Sequence, residues 1–344
     1  MALNACELEL DLFARGLRLP GEAGLGLRNA ADDSLEVAIL AAPLPKREIY
    51  VNVPIAGPFA TRSPFRLAHV ANRGHVIVDD RDASIYQVRV PVAPPWLAWL
   101  TSQDVPMGQV GTLRGTQLHV AVTPLTNVDD VVETCWAAKN ESAVTFVELE
   151  NGGGAEAARG MPSYLAAIKR DVGMLVGVHV GLDVPRSTCA ALIAAGVDQF
   201  SFSAGRDGLE ALAHCARTLT PGAVSAEVIA GPAPLTSVIE AIDRIAAAGA
   251  LPSLRIVRPP SLILRTALPT SQDLRRMMRH VYEACRRHWL PIGAAPSRES
   301  SFVVDPDDAV LLAPRDAGFY CYEAFRLWRG LSGAPARWKR MRAA

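Results

Sequence analysis

The sequence predicts an α/β fold, a full or partial TIM-type (β/α) barrel with an N-terminal β-rich appendage. Two observations carry this. From Leu118 onward, short apolar runs alternate six times with helix-length amphipathic segments. From Lys46 to about Trp99 the text is instead rich in proline and short β-like runs, EIYVNVPIAGPF, HVIVDD and YQVRVPV. Strands alternating with helices of this length need crossover connections and therefore a parallel sheet. Six such units favour a barrel over an open doubly wound sheet.

The elements follow in order. Pro54, Pro58, Pro64, Pro91, Pro94 and Pro95 forbid long helices and confine strands to edges or short ladders. VGTLRGTQLHVAV reads as two short strands around Arg114 and Gly115. Strands are then expected at 118–124, 144–150, 175–182, 198–205, 223–231 and 251–259, with helices at 127–141, 162–171, 185–195, 207–219, 235–249 and 271–288. The first strand is thus expected to pass into its helix across only Leu125 and Thr126. SVIE at Ser237 to Glu240 has the spacing of a capping box. Past Trp289, SSFVVDPDDAVLL and FYCYEAFRLWRG are expected to close the barrel or pack on its side. Three regions result: 1–107 β-rich, 108–296 the barrel, and 297–344 a C-terminal extension.

Among 344 residues, 35 basic and 35 acidic side chains cancel, so global charge points to neither nucleic acid nor a membrane surface. Apolar runs are interrupted well before the ~18 residues of a spanning helix, and a soluble, cytoplasmic protein is expected. The six cysteines lie far apart, with no C-x-x-C and no Cys–His cluster, and read mostly as small buried hydrophobes. The partner expected is a small molecule held in the barrel, or another protein.

In a barrel strand alternate residues face inward, and buried polar groups there need partners or a ligand. Glu148 and Glu150 share one side of the second strand, His179 lies on the third, and Gln199, Ser201 and Ser203 fall together on the fourth. Ser225 and Glu227 follow on the fifth, and Arg255 and Arg258 sit on opposite sides of the sixth. Taken singly, each reads as structural pairing, and His119 as no more than that. Together they suggest a polar cavity for a zwitterionic or multiply hydrogen-bonding ligand. NGGG at Asn151 to Gly154 follows the second strand at the end where barrel ligands bind. Metal-dependent hydrolysis is placed last, for want of an H-x-H or paired-carboxylate spacing, and no residue is assigned to a metal.

With NGGG and AEVIAGPAPLTSVIEAIDRIAAAGALPSLRIVRPP (226–260) in view, the chain resembles the radical S-adenosylmethionine superfamily, particularly its biotin-synthase-like branch, from about Gly108 to Pro296. The resemblance implies that Gly152 and Gly153 stand where family members hold the methionine amino group. Gly231 stands in the glycine position of the fifth strand's motif, and Ser203 where a polar group approaches the ribose or carboxylate. Arg258 and the prolines after it echo the strand end near the adenine. The family's first loop carries C-x-x-x-C-x-x-C, whose thiolates hold a [4Fe-4S] cluster. This sequence reads VTPLTNVDD there, with no cysteine between Leu118 and Thr134. An iron–sulfur cluster is therefore not expected, while S-adenosylmethionine remains the ligand that the resemblance implies.

Two functions follow. The chain is a cluster-less, non-catalytic partner or substrate-holding subunit of an active radical enzyme, so that its heteromeric partner carries the cluster. Alternatively it is an enzyme using the retained pocket for cluster-independent polar chemistry, with Glu148, His179 and Glu227 as acid–base groups.

Overall fold

The computed structural model describes residues 2–20, 29–30, 34–41, 47–56, 58–151, 154–181, 183–203, 209–231, 233–256, 269–293 and 303–342. The chain opens with a helix the sequence reading did not anticipate, α1 (Ala5–Arg15). It starts at a capping box: Glu7 N–H donates to Asn4 Oδ1 (2.9 Å) and Asn4 N–H to Glu7 Oε2 (3.0 Å), satisfying two of the donors a helix start leaves free. Six strands follow: β1 (Asn29–Ala30), β2 (Ser34–Ala41), β3 (Arg47–Pro54), β4 (Phe65–Val70), β5 (Gly74–Asp79) and β6 (Ser84–Arg89), with a short helix α2 (Pro58–Thr61) between β3 and β4. They form one antiparallel sheet in the order β1-β2-β6-β5-β4, with β3 also paired to β2. Helix α1 packs between β3 on one side and the barrel's last helix on the other. This two-sided packing explains why Glu9 and Asp11 are as buried as Leu8 and Leu12.

The second sheet follows the short helix α3 (Met107–Val110). Its strands and helices are β7 (Thr112–Arg114), β8 (Gln117–Val122), α4 (Val128–Ser142), β9 (Phe146–Asn151), α5 (Gly154–Ala167), β10 (Leu175–Val180), α6 (Arg186–Ala194), β11 (Gln199–Phe202), α7 (Leu209–Thr218), β12 (Val224–Ala230), α8 (Leu235–Ala247), β13 (Leu251–Ile256), α9 (Ser271–Arg287) and β14 (Val303–Val304), before the final helix α10 (Ala317–Arg342). Strands β8 to β13 are parallel and neighbour one another in chain order. β7 and β14 flank them antiparallel. The eight strands make a curled half-barrel. Its two edges, β7 and β14, do not pair among the described residues, so the partial form of the expected barrel is the one observed.

One face of this sheet is apolar throughout. Leu118, Val120 and Val122, then Val147 and Leu149, Val176 and Val178, Phe200 and Phe202, and Ala226 and Val228 are all buried. They alternate along each strand with the residues of the other face, the two-residue period of a strand. The helices that cover them have matching seams, such as Leu274, Met277, Met278 and Val281 of α9.

Three local expectations are corrected. The connection after β8 runs from Thr123 to Asn127, because Thr123 and Thr126 fold back on each other. Thr123 N–H donates to Thr126 Oγ1 (3.0 Å), and Thr126 N–H to Thr123 O (3.1 Å). Asn127 caps α4 by accepting from Asp129 N–H at 2.9 Å. Helix α5 begins at Gly154 and carries Pro162 inside it, where the sequence reading started the helix; proline marks a first turn only statistically. SVIE is no capping box, since α8 starts at Leu235 with Pro234 as its cap residue and no side-chain cap bond.

Candidate functional site

The face turned away from the helices is polar, and neighbouring strands bring its residues into rows. His119 of β8 stands beside Glu148 of β9, then Gly177 of β10 and Gln199 of β11. One step further along come Ala121, Glu150, His179, Ser201 and Ser225. On β12 and β13, Glu227 stands beside Ser253 and Ile229 beside Arg255.

Burial changes along every one of these strands in the same sense. His119, Glu148, Gly177, Ser201, Glu227 and Ser253 are buried, whereas Ala121, Glu150, His179, Ser203, Ile229 and Arg255, each two residues later, are half-buried or exposed. This face is therefore most exposed at the carboxyl ends of the strands, the end at which parallel α/β sheets bind ligands. Part of it is covered by an aromatic ring. A Cβ built at Gly177 would lie 2.4 Å from Phe146 Cζ, so glycine is required there for the ring to lie across β10.

At the β8–β9 side, His119 Nδ1 lies 3.2 Å from Glu148 Oε2 and 3.5 Å from Glu150 Oε1. Both oxygens lie within ion-pair distance of the ring nitrogen, whose N–H is poorly aligned on either. Ser201 Oγ donates to the other oxygen of Glu148, and Arg114 Nη1 lies 3.7 Å from Glu150 Oε1. Burial by itself would lower the pKa of His119, but the two carboxylates outweigh it and raise it above the usual imidazole value. Burial likewise pushes Glu150 up, yet His119 dominates and holds the carboxyl down at about 2. Both shifts have one cause, an imidazole set close to two carboxyl groups.

On the far side, Arg255 donates to Glu227 through Nε (2.6 Å) and Nη2 (2.7 Å). This is the paired geometry that guanidinium and carboxylate favour. Ser203 Oγ lies 3.2 Å from His179 Nε2. Of the residues singled out in the sequence, Glu148, His179, Ser203 and Glu227 thus share one polar face of the half-barrel, and Gly231 follows the end of β12 as a buried residue. Gly152, Gly153 and Arg258 lie outside the described residues. His119 and Arg114 also stand here, the first read from the sequence as structural pairing and the second not singled out there. The alternation of Gln117 and His119 on β8 was the available signal. Glu148-x-Glu150 is a paired-carboxylate spacing on one side of β9. Among the described residues, His119, Glu148 and Glu150 form a donor set whose ligand atoms all lie within 4.8 Å of one another.

Polar groups in the antiparallel sheet region serve structural roles. Ser63 Oγ donates to Gly16 O (2.7 Å), and Arg66 pairs with Asp80 at the surface. The cysteines give no cluster site: Cys135 is buried in α4 with its thiol pushed up to about 12 by burial, and only Cys321 is exposed.

No protein-family model matches the chain, and no curated protein does. Solved structures do. One of them is coproporphyrinogen III oxidase (HemN) from Escherichia coli, described as a radical SAM enzyme, at 12% identity and a TM-score of 0.34. The match covers 48% of this chain and 44% of that one, so the chain spans less than half of that structure's length. Among the described residues, no helix is long and apolar enough to cross a membrane.

Proposed function

We propose that this chain is a substrate-holding barrel without an iron–sulfur cluster of its own, serving a separate radical enzyme that carries one. The observation behind this reading is the shared burial gradient: along all six parallel strands the inward face passes from buried to more exposed toward the carboxyl end, and four of the six outer residues, Glu150, His179, Ser203 and Arg255, are polar. Glu150, His179, Ser203 and Arg255 at that rim offer both signs of charge, which suits a zwitterion such as the amino-acid end of S-adenosylmethionine. Two further facts favour a cluster-free reading. The Thr123–Asn127 connection contains no cysteine, and the nearest thiol in the chain, Cys135, is buried and far from ionising.

Calorimetric titration of iron-analysed protein with S-adenosylmethionine tests the pocket. The expected result is saturable binding at one site per chain without iron, weakened about tenfold in His179→Ala, the loss of one good hydrogen bond. Absence of saturable binding would remove S-adenosylmethionine as the ligand. The partner is tested separately by co-purification with a cluster-bearing homologue, and a chain that stays alone in the presence of that homologue counts against the subunit role.

The alternative reading, polar chemistry with Glu148, His179 and Glu227 as acid–base groups, is weakened at one of the three. Both guanidinium contacts of Arg255 engage Glu227, which favours a charged, fixed carboxylate over a proton carrier. Glu148 and His179 remain its candidates, and full turnover in Glu148→Gln would dispose of it.

A further inference from the structure

A zinc-like site has donor bonds of about 2.0–2.2 Å, which at tetrahedral angles set neighbouring donor atoms about 3.3–3.5 Å apart. The separations from His119 Nδ1 to Glu148 Oε2 and Glu150 Oε1 are 3.2 and 3.5 Å. The imidazole is only 4% exposed, and neither of its nitrogens has an aligned hydrogen bond among the described residues. Buried imidazole nitrogens normally have a partner. Here the nitrogen faces two carboxylate oxygens at coordination spacing without pointing a proton at either. The Ser201 hydroxyl on the remote oxygen of Glu148 is the outer contact that orients a ligating carboxylate.

We propose that His119, Glu148 and Glu150 bind one divalent first-row metal ion, of the zinc, manganese or ferrous class, at the β8–β9 side of the cavity. One imidazole and two carboxylates leave coordination positions open. Counting the Arg114 guanidinium 3.7 Å from Glu150, a divalent ion with a neutral His119 leaves the cluster with one excess positive charge. A single anionic ligand, hydroxide or the carboxylate of a bound small molecule, restores neutrality and takes an open position. This site shares the cavity of the proposed ligand but does not depend on that ligand's identity.

The test uses the full chain dialysed against chelator and titrated with Zn²⁺ in competition with a chromophoric chelator, and with Mn²⁺ followed by electron paramagnetic resonance. No organic ligand is added, so this result and the S-adenosylmethionine titration can fail independently. The expected result is one ion per chain, with affinity lowered about 100-fold or more in His119→Ala and Glu148→Gln. Affinity is unchanged in His280→Ala, whose surface His–Asp243 pair (2.9 Å) controls for adventitious binding. Glu150 is partly exposed, so Glu150→Gln serves as the variant least disruptive to folding, checked by circular dichroism. Wild-type protein that takes up no stoichiometric ion, or a folded Glu150→Gln variant that binds as tightly as wild type, overturns the proposal.

Discussion

Replacing His119 with glutamine should destabilise the metal-free protein by an amount that rises and falls with pH. In the folded chain the Glu150 carboxyl sits at about 2, against about 4.3 for an unperturbed glutamate. At about 1.4 kcal/mol per pH unit this is worth roughly 3 kcal/mol. Arg114 supplies part of it, leaving about 2–3 kcal/mol for His119. Because the folded pKa of Glu150 is depressed, this stability is present above about pH 4.3 and is lost as pH falls towards 2. The His119 pKa is raised, so its contribution is complete below about pH 6.5 and is lost as pH rises through the folded value. The difference between wild type and His119→Gln should therefore be largest between about pH 4.5 and 6.5 and shrink on both sides. Urea denaturation of chelator-treated protein at pH 3, 5.5 and 9 measures it. A difference that stays constant across those values would refute the coupling between His119 and Glu150.

Other substitutions test the framework around the site. Gly177→Val should drive the Phe146 ring off β10 and cost about 1–3 kcal/mol by overpacking, read from the urea midpoint; a change below about 0.5 kcal/mol would mean that the ring has room to move. Asp11 is buried and accepts from Arg275 (3.1 Å) and Arg81 (3.3 Å), joining α1 to both sheets' surroundings. Asp11→Ala should cost about 2 kcal/mol, less than a fully buried pair, because both arginines reach solvent; full wild-type stability would show that the contacts are incidental. Under native conditions one thiol per chain, Cys321, should react rapidly with a disulfide reagent, since the other five are buried. A second fast thiol would contradict the packing of α4, α6, α7 or α9, or of α1.

The order of the barrel elements was legible because each strand and helix must bury a continuous apolar surface. That requirement writes itself into local periodicity, so all six parallel strands and their helices stand in the predicted order. Helix α5 was begun too late because Pro162 looks like a helix start, when it is a residue tolerated inside one. The turn after β8 was read too short because nothing local reveals that Thr123 and Thr126 bond to each other. Helix α1 carries a weak sequence signal because its buried residues include Glu9 and Asp11, which interrupt the apolar pattern.

The sequence alone could say that alternate residues of the parallel strands are polar and that the first loop carries no cysteine. Both are properties of residues in order, independent of their neighbours in space. Only the tertiary structure could decide that His119 meets Glu148 and Glu150 while Arg255 takes Glu227, because strand register sets which side chains face each other across a sheet. Register arises from the packing of the whole sheet under its helices, and a charge becomes a partner or a ligand only once that packing has removed water from around it.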